Sequence, residues 1–198
     1  MFSKSLFGID FHSKNFGDSH QELNKRLIQD IDTDMSFNKS LERSFAKNNC
    51  SWQSDEKLNK RFDSFYELGE IIKEHSGYDK IDVWANVILK PGGFSRPHTH
   101  GPYTNLTGVY YPHDLYDDYD DNEDVVIDGW NKDEGVLVLF DPNSMSRGFN
   151  RVQTIKPRES LLVLFPCYIP HMVSPMISNK RRYCISFKLR HSLNNKKK

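Results

Sequence analysis

The sequence predicts a mainly β fold with N-terminal helices: an antiparallel barrel or jelly roll carrying helices on its outside. Three observations predict it. Before Gly77 apolar residues recur at helical spacing. After Gly77 the pattern changes to period two, in short runs divided by Gly- and Pro-containing turns. Aromatic residues make up 13% of the 198 residues, a content that favours strands.

Residues 1–11 read as a short strand or arm, and residues 21–34 place Leu23, Leu27, Ile28 and Ile31 on one helical face. Residues 48–54 read as a loop ending in Ser54, a helix N-cap, with Asp55 and Glu56 in the first turn. That helix is predicted to run to about His75 with a stripe of Leu58, Phe62, Phe65, Leu68 or Gly69, and Ile72, stopped by Ser76-Gly77. Strands are predicted over 81–89, 106–111, 136–140, 160–165 and 183–189, with Pro91-Gly92-Gly93 as a turn. There is no internal repeat. The whole reads as a single domain, with helical support over 1–77, a jelly-roll core over 78–190 and a basic tail over 191–198.

Lys plus Arg and Asp plus Glu both number 27, so the net charge is zero and no global field points to nucleic acid or a membrane surface. There is no run of apolar residues long enough to span a bilayer and no signal-peptide pattern. Three scattered cysteines, Cys50, Cys167 and Cys184, do not make a disulfide framework; a reducing cytoplasm is the expected compartment. Cys184 reads as a small core or pocket residue rather than a reactive thiol. Residues 114–128 carry eight acidic side chains and are expected to form a solvated insertion. A flap over a pocket mouth, or a surface for a basic partner, is the sharper alternative. Calcium chelation is disfavoured because the ordered Gly of an EF-hand loop is missing.

The chemistry concentrates in His98-Thr99-His100, His171 and Arg182. Histidines two apart on a strand point to one face. Imidazole suits Fe, Zn, Cu and Ni. His171 emerges from the apolar run 161–166, and a polar ring in that context needs a partner. In the strand that follows, Arg182, Cys184 and Ser186 share a small polar face suited to a cavity, while Tyr183, Ile185, Phe187 and Leu189 share an apolar one. A buried Arg requires a counter-charge, which a bound carboxylate would supply through paired hydrogen bonds. Spacing alone leaves Arg182 open between that role and a surface cation beside Lys180 and Arg181. One of Tyr110 and Tyr111 must face inward. Trp84 and Asn86 share a strand face, and Asn86 must hydrogen-bond something, the pocket being one candidate. His12, His20, His75, His113 and His191 read as surface or satisfied core residues.

The ordered set Trp84-Ala85-Asn86, Pro97-His98-Thr99-His100, 107–111, 135–142, Leu164-Phe165-Pro166 with His171, and 182–187 resembles the Fe(II)/2-oxoglutarate-dependent dioxygenase superfamily. Within it the chain looks like a small prolyl-hydroxylase-like group of oxygenases from marine bacteria and phages. The resemblance covers roughly residues 48–190. It implies a double-stranded β-helix, the cupin-like jelly roll, and a hydroxylase that consumes O2 and 2-oxoglutarate and releases succinate and CO2. It further implies His98 and His171 as iron ligands, Arg182 as the partner of the distal carboxylate of 2-oxoglutarate, and Tyr111 as its helper, with Asn86 facing the same pocket. The superfamily usually has Asp or Glu at the position of His100. Three readings of His100 follow: it completes a three-histidine face, Asp141 or water replaces it at the metal, or the site binds iron weakly and has lost activity; the first is preferred. A cupin-like three-histidine metalloenzyme that does not use 2-oxoglutarate, and a non-catalytic binding module, are the competing readings. A small molecule or a peptide is the expected substrate, and a homodimer is a possible assembly.

Overall fold

The strands in chain order are β1 (Phe2–Leu6), β2 (Ile9–Asn15), β3 (Ser51–Gln53), β4 (Lys80–Ile88), β5 (Ser95–His98), β6 (Leu106–Tyr111), β7 (Val126–Asp128), β8 (Leu137–Phe140), β9 (Val152–Ile155), β10 (Leu161–Pro166), β11 (His171–Val173) and β12 (Arg182–Arg190); the two α-helices are α1 (Gln21–Phe37) and α2 (Asp63–Ser76). These come from a computed structural model, which describes residues 2–6, 9–39, 50–101, 104–117, 126–128, 133–142 and 152–192. The strands form two antiparallel sheets. One has seven strands in the order β1-β2-β10-β6-β12-β4-β3, the other five in the order β5-β11-β8-β9-β7. This is the double-stranded β-helix, with α1 and α2 on the outer face of the larger sheet.

One core lies between the helices and the larger sheet. Leu23, Leu27 and Ile31 of α1 and Phe65, Leu68 and Ile72 of α2 meet Tyr110, Leu162, Tyr183, Ile185 and Phe187. A second core lies between the sheets and contains Tyr111, Leu139, Val163, Phe165 and Cys184. The alternation read from the sequence is thus observed on β12, whose odd-numbered residues face the helices. Gly108 is required on β6, since a Cβ there would sit 2.1 Å from the Val163 carbonyl and 2.7 Å from the Phe187 ring.

Three readings are corrected. The helix predicted from Ser54 begins at Asp63; Leu58 is buried, but in a short 3-10 turn. Leu58 and Phe62 belong to the same core as α2, so the stripe continued past the helix itself. Ser51–Gln53 is an edge strand rather than a loop. Ser54 holds it there, its hydroxyl accepting from the Ala85 N–H at 2.9 Å and its N–H donating to the Ala85 carbonyl at 3.0 Å, so the hydroxyl serves a sheet and not a helix end. Within the acidic segment, Val126–Asp128 is a strand paired with β9. Asp114 accepts from the Glu159 N–H at 2.6 Å and Asp117 pairs with Lys180 at 2.6 Å. Residues 118–125 of that segment, and the tail 193–198, lie outside the described residues. The stop at Gly77 holds, with φ +74 and its N–H on the Lys73 carbonyl. Among the described residues no helix is long and apolar enough to cross a membrane.

Candidate active site

Between the sheets lies a cavity of about 140 Å³ whose lining includes Trp84, Asn86, His98, His100, His171 and Arg182. Strand β5 is the edge of the smaller sheet, which is why Pro97 is tolerated there. His98 ends that strand and lies directly opposite His171, the first residue of β11. His100 sits two residues past the strand, and its N–H donates to the Cys167 carbonyl at 3.0 Å. The turn from Cys167 to His171 therefore anchors both ends of the cluster.

The potential ligand atoms of His98, His100 and His171 all lie within 4.8 Å of one another. Ring centroids are 4.3 Å apart for His98 and His171, 5.3 Å for His98 and His100, and 5.1 Å for His100 and His171. Nδ1 of His98 donates to the Arg96 carbonyl at 2.8 Å, and Nδ1 of His171 donates to the Ile169 carbonyl at 2.9 Å. A carbonyl only accepts, so in each ring the proton is on Nδ1 and the lone pair on Nε2. A backbone carbonyl holding the far nitrogen is the usual way a ligating imidazole is oriented. Burial pushes His171 down to about 3, with His98 adding to the effect. Burial also pushes His100 down to about 3, followed by the charges of His98 and Lys188. Burial lowers His98 as well. Three imidazoles that stay neutral and converge are the donor set of a borderline first-row metal, so these residues fit Fe(II). Asp141, the alternative third ligand, is buried just past β8 but is not part of this cluster.

Arg182 is 3% exposed. Its Nε donates to the Gly135 carbonyl at 2.6 Å, its Nη2 donates to the Tyr111 hydroxyl at 3.4 Å, and its guanidinium carbon lies 5.3 Å over the Tyr111 ring. That burial rules out the reading of Arg182 as a surface cation, and among the described residues no carboxylate pairs with it. Tyr111 is the inward member of the tyrosine pair, fully buried, with burial pushing its phenol up. It sits behind Arg182 and is not among the residues lining the cavity, which makes it a support for the guanidinium. Asn86 does line the cavity, and it finds a partner in Ser186, whose hydroxyl accepts from Nδ2 at 2.9 Å. Cys184 lines the same wall, its thiol pushed up by burial and not reactive.

One positioning residue escaped the sequence reading. Gly135 has φ +65, and a Cβ there would meet Leu115 and Met176 at 2.7 Å and the Arg182 Cδ at 3.1 Å. Its lack of a side chain lets Arg182 pass, and its carbonyl holds Arg182. The signal available was a lone Gly opening the run 135–140, which looks like any turn glycine.

Residues 82–188 match the family described as "Putative 2OG-Fe(II) oxygenase". The match spans β4 to β12 and includes all three histidines and Arg182. The chain belongs to this family, and it is a 2OG-Fe(II) oxygenase with Fe(II) as cofactor and 2-oxoglutarate as co-substrate. No curated protein is a significant match. Among solved structures, the fold is similar to a Trichoplax adhaerens prolyl hydroxylase in complex with a hypoxia inducible factor peptide fragment (TM-score 0.63, 20% identity, 90% of this chain and 82% of that one). It is also similar to a Pseudomonas putida prolyl-4-hydroxylase (TM-score 0.60, 14% identity, 95% and 96% covered). A third similar structure is HygX from Streptomyces hygroscopicus with nickel and 2-oxoglutarate bound (TM-score 0.60, 8% identity, 92% and 83% covered).

Proposed function

We propose that His98, His100 and His171 hold the Fe(II), and that Arg182 takes the distal carboxylate of 2-oxoglutarate. The observation that carries this is the convergence of three neutral imidazoles in the same cavity as a buried guanidinium with no carboxylate partner among the described residues. When bound, the metal supplies the O2 chemistry that couples decarboxylation of 2-oxoglutarate to hydroxylation of a substrate C–H.

The chain's own residues do the rest. The Arg96 and Ile169 carbonyls fix the tautomers of His98 and His171, so no proton must be shed for them to ligate. Three neutral ligands leave the centre one unit more positive than two histidines and a carboxylate would. That favours anionic co-ligands such as an oxo-acid. Gly135 and Tyr111 hold Arg182 so that its remaining N–H groups can fork onto a carboxylate. Apolar neighbours such as Leu137, Val109 and Phe165 keep water from the cavity. The substrate is a small molecule or a peptide, and the three free cysteines fit a cytoplasmic setting.

The test is anaerobic absorbance of the purified protein titrated with Fe(II) and then 2-oxoglutarate, repeated on His98→Ala, His100→Ala, His171→Ala and Arg182→Ala. A visible charge-transfer band that needs both additions and is lost in each histidine variant is expected. Iron binding with no response to 2-oxoglutarate overturns the reading and favours a three-histidine enzyme of another kind. A band that persists unchanged in His100→Ala removes His100 from the ligand set.

A further inference from the structure

The wall that β12 gives to the cavity carries two cations. Arg182, Cys184, Ser186 and Lys188 all line it. Arg182 and Lys188 are six residues apart on one strand, or about 20 Å at about 3.3 Å per residue. Arg182 is accounted for above; Lys188 is not. It stands at the His100 end: its Nζ lies 5.1 Å over the Trp84 ring, and that ring's centroid is 6.1 Å from the His100 ring. Its charge reaches both His98 and His100.

Lys188 donates to Glu56 at 2.7 Å, and the two partners are unequal. Lys188 projects from a strand hydrogen-bonded on both sides, by β4 and β6. Its ammonium lies over buried Trp84, and its side chain is 23% exposed. Glu56 comes from the turn after β3 and is 47% exposed. An ion pair this open to water contributes about 0–1 kcal/mol, too little to explain a lysine and a glutamate that both line a cavity. The ammonium is the fixed member, held over an aromatic face. The carboxylate is the replaceable one. A ligand carboxylate that displaces Glu56 exchanges like for like, so the ammonium stays paired, and Glu56 swings into water.

We propose that Lys188 is a specificity residue that binds a carboxylate on the substrate to be oxidised, and that Glu56 is the placeholder it displaces. This rests on the oxygenase reading of the cavity and adds a substrate class to it: a molecule with a carboxylate beyond the C–H presented at the histidine cluster. Arg182 and Lys188 then divide two carboxylates, the co-substrate's and the substrate's, between the two ends of one wall.

The experiment uses the Fe(II)-loaded protein, anaerobic, at saturating 2-oxoglutarate. The probes are N-acetyl-L-amino acids and their amides, which differ only in the charge of the terminal group. Binding is read calorimetrically and by perturbation of the charge-transfer band. The wild type is expected to bind acids at least tenfold more tightly than the matching amides. Lys188→Gln is expected to lose that preference. Glu56→Gln is expected to tighten acid binding several-fold, since it vacates the ammonium; a merely structural salt bridge would give no gain. The band with Fe(II) and 2-oxoglutarate alone should still form in all three proteins. Equal binding of acids and amides, binding of neither, a preference retained in Lys188→Gln, or weaker acid binding in Glu56→Gln each overturns the proposal while the band stands. A wild type with no band at all overturns the oxygenase reading and this proposal with it.

Discussion

Tyr110 and Tyr111 are adjacent, both fully buried, and burial raises both phenols, yet they serve opposite faces of the larger sheet. Tyr110 points at the helices, donates to Asn24 Oδ1 at 2.7 Å, and lies 3.1 Å from His20 Nδ1. Asn24 in turn donates to Ser160 and Glu159, each at 2.9 Å. That network links helix, sheet and turn, and its members partner one another. Tyr111 faces the space between the sheets, and its hydroxyl accepts from Arg182, a cation with no counter-charge among the described residues. The Tyr110 network closes on itself, whereas the guanidinium beside Tyr111 has no counter-charge among the described residues. An incompletely partnered buried guanidinium is costly without a ligand, and that cost is what marks the cavity face as the functional one.

The largest expected effect separates the two faces outright. Phe187→Ala, on the helix face, should lose about 3–5 kcal/mol in urea unfolding, as large buried rings do. His171→Ala should abolish Fe(II) binding while its urea midpoint without metal falls far less. Equal losses of stability in the two variants would erase the distinction.

Next is Arg182→Met. A hydrogen-bonded charge contributes about 1.5–3 kcal/mol, so 2-oxoglutarate binding should weaken by about ten- to a hundredfold, with Fe(II) binding unchanged. Thermal stability without ligand should stay level or rise, because a desolvated, unpaired charge has been removed. A clear fall in stability would mean that Arg182 belongs to the structure in the way Tyr110 does.

Gly135→Ala should follow. The left-handed backbone and the 2.7 Å approaches to Leu115 and Met176 predict a loss of about 1–2 kcal/mol. 2-Oxoglutarate affinity should fall with it, because Arg182 must shift, and Fe(II) affinity should not. The tyrosines themselves give smaller, opposed effects. Tyr110→Phe should cost about 1–2 kcal/mol by stranding Asn24, with no effect on 2-oxoglutarate. Tyr111→Phe should change stability little and weaken 2-oxoglutarate by a few-fold.

The two faces were also unequally legible in the sequence. The split of β12 into Arg182, Cys184 and Ser186 against Tyr183, Ile185 and Phe187 follows from alternation alone, so the cavity wall was readable. The histidine pair was readable as a cluster, although strand alternation is not what joins it, since β5 ends at His98 and His100 lies two residues beyond. Which strands pair was not readable, since pairing is non-local: Ser51–Gln53 passed for a loop because three residues carry no period, and Ser54 passed for a cap because a hydroxyl caps helices and edges alike. The meeting of His98 with His171 depends on β5 and β11 lying side by side, a pairing that no local pattern displays. The role of Gly135 was invisible because it is a missing atom beside a residue 47 positions away.

The smallest effect tests whether the helix face is as self-sufficient as the contrast requires. His20 stacks on Phe16 with ring centroids 4.1 Å apart and touches Tyr110. Burial holds its pKa below the ordinary 6.5, outweighing the pull of Glu67 in the other direction, and His75 and Lys14 add to the lowering. The unfolded chain therefore takes up this proton first as the pH falls. The contribution of His20 is fully present above about 6.5 and is lost as acid protonates the unfolded imidazole while the folded one resists. Urea midpoints at pH 7.5, 6.5 and 5.5 should fall less steeply for His20→Gln than for the wild type, even if the variant starts lower. Parallel curves would mean that His20 titrates alike in both states and that its place beside Tyr110 is held by stacking alone. A steeper curve for the variant would reverse the sign and show the folded protein stabilising the imidazolium, with Glu67 rather than burial in control.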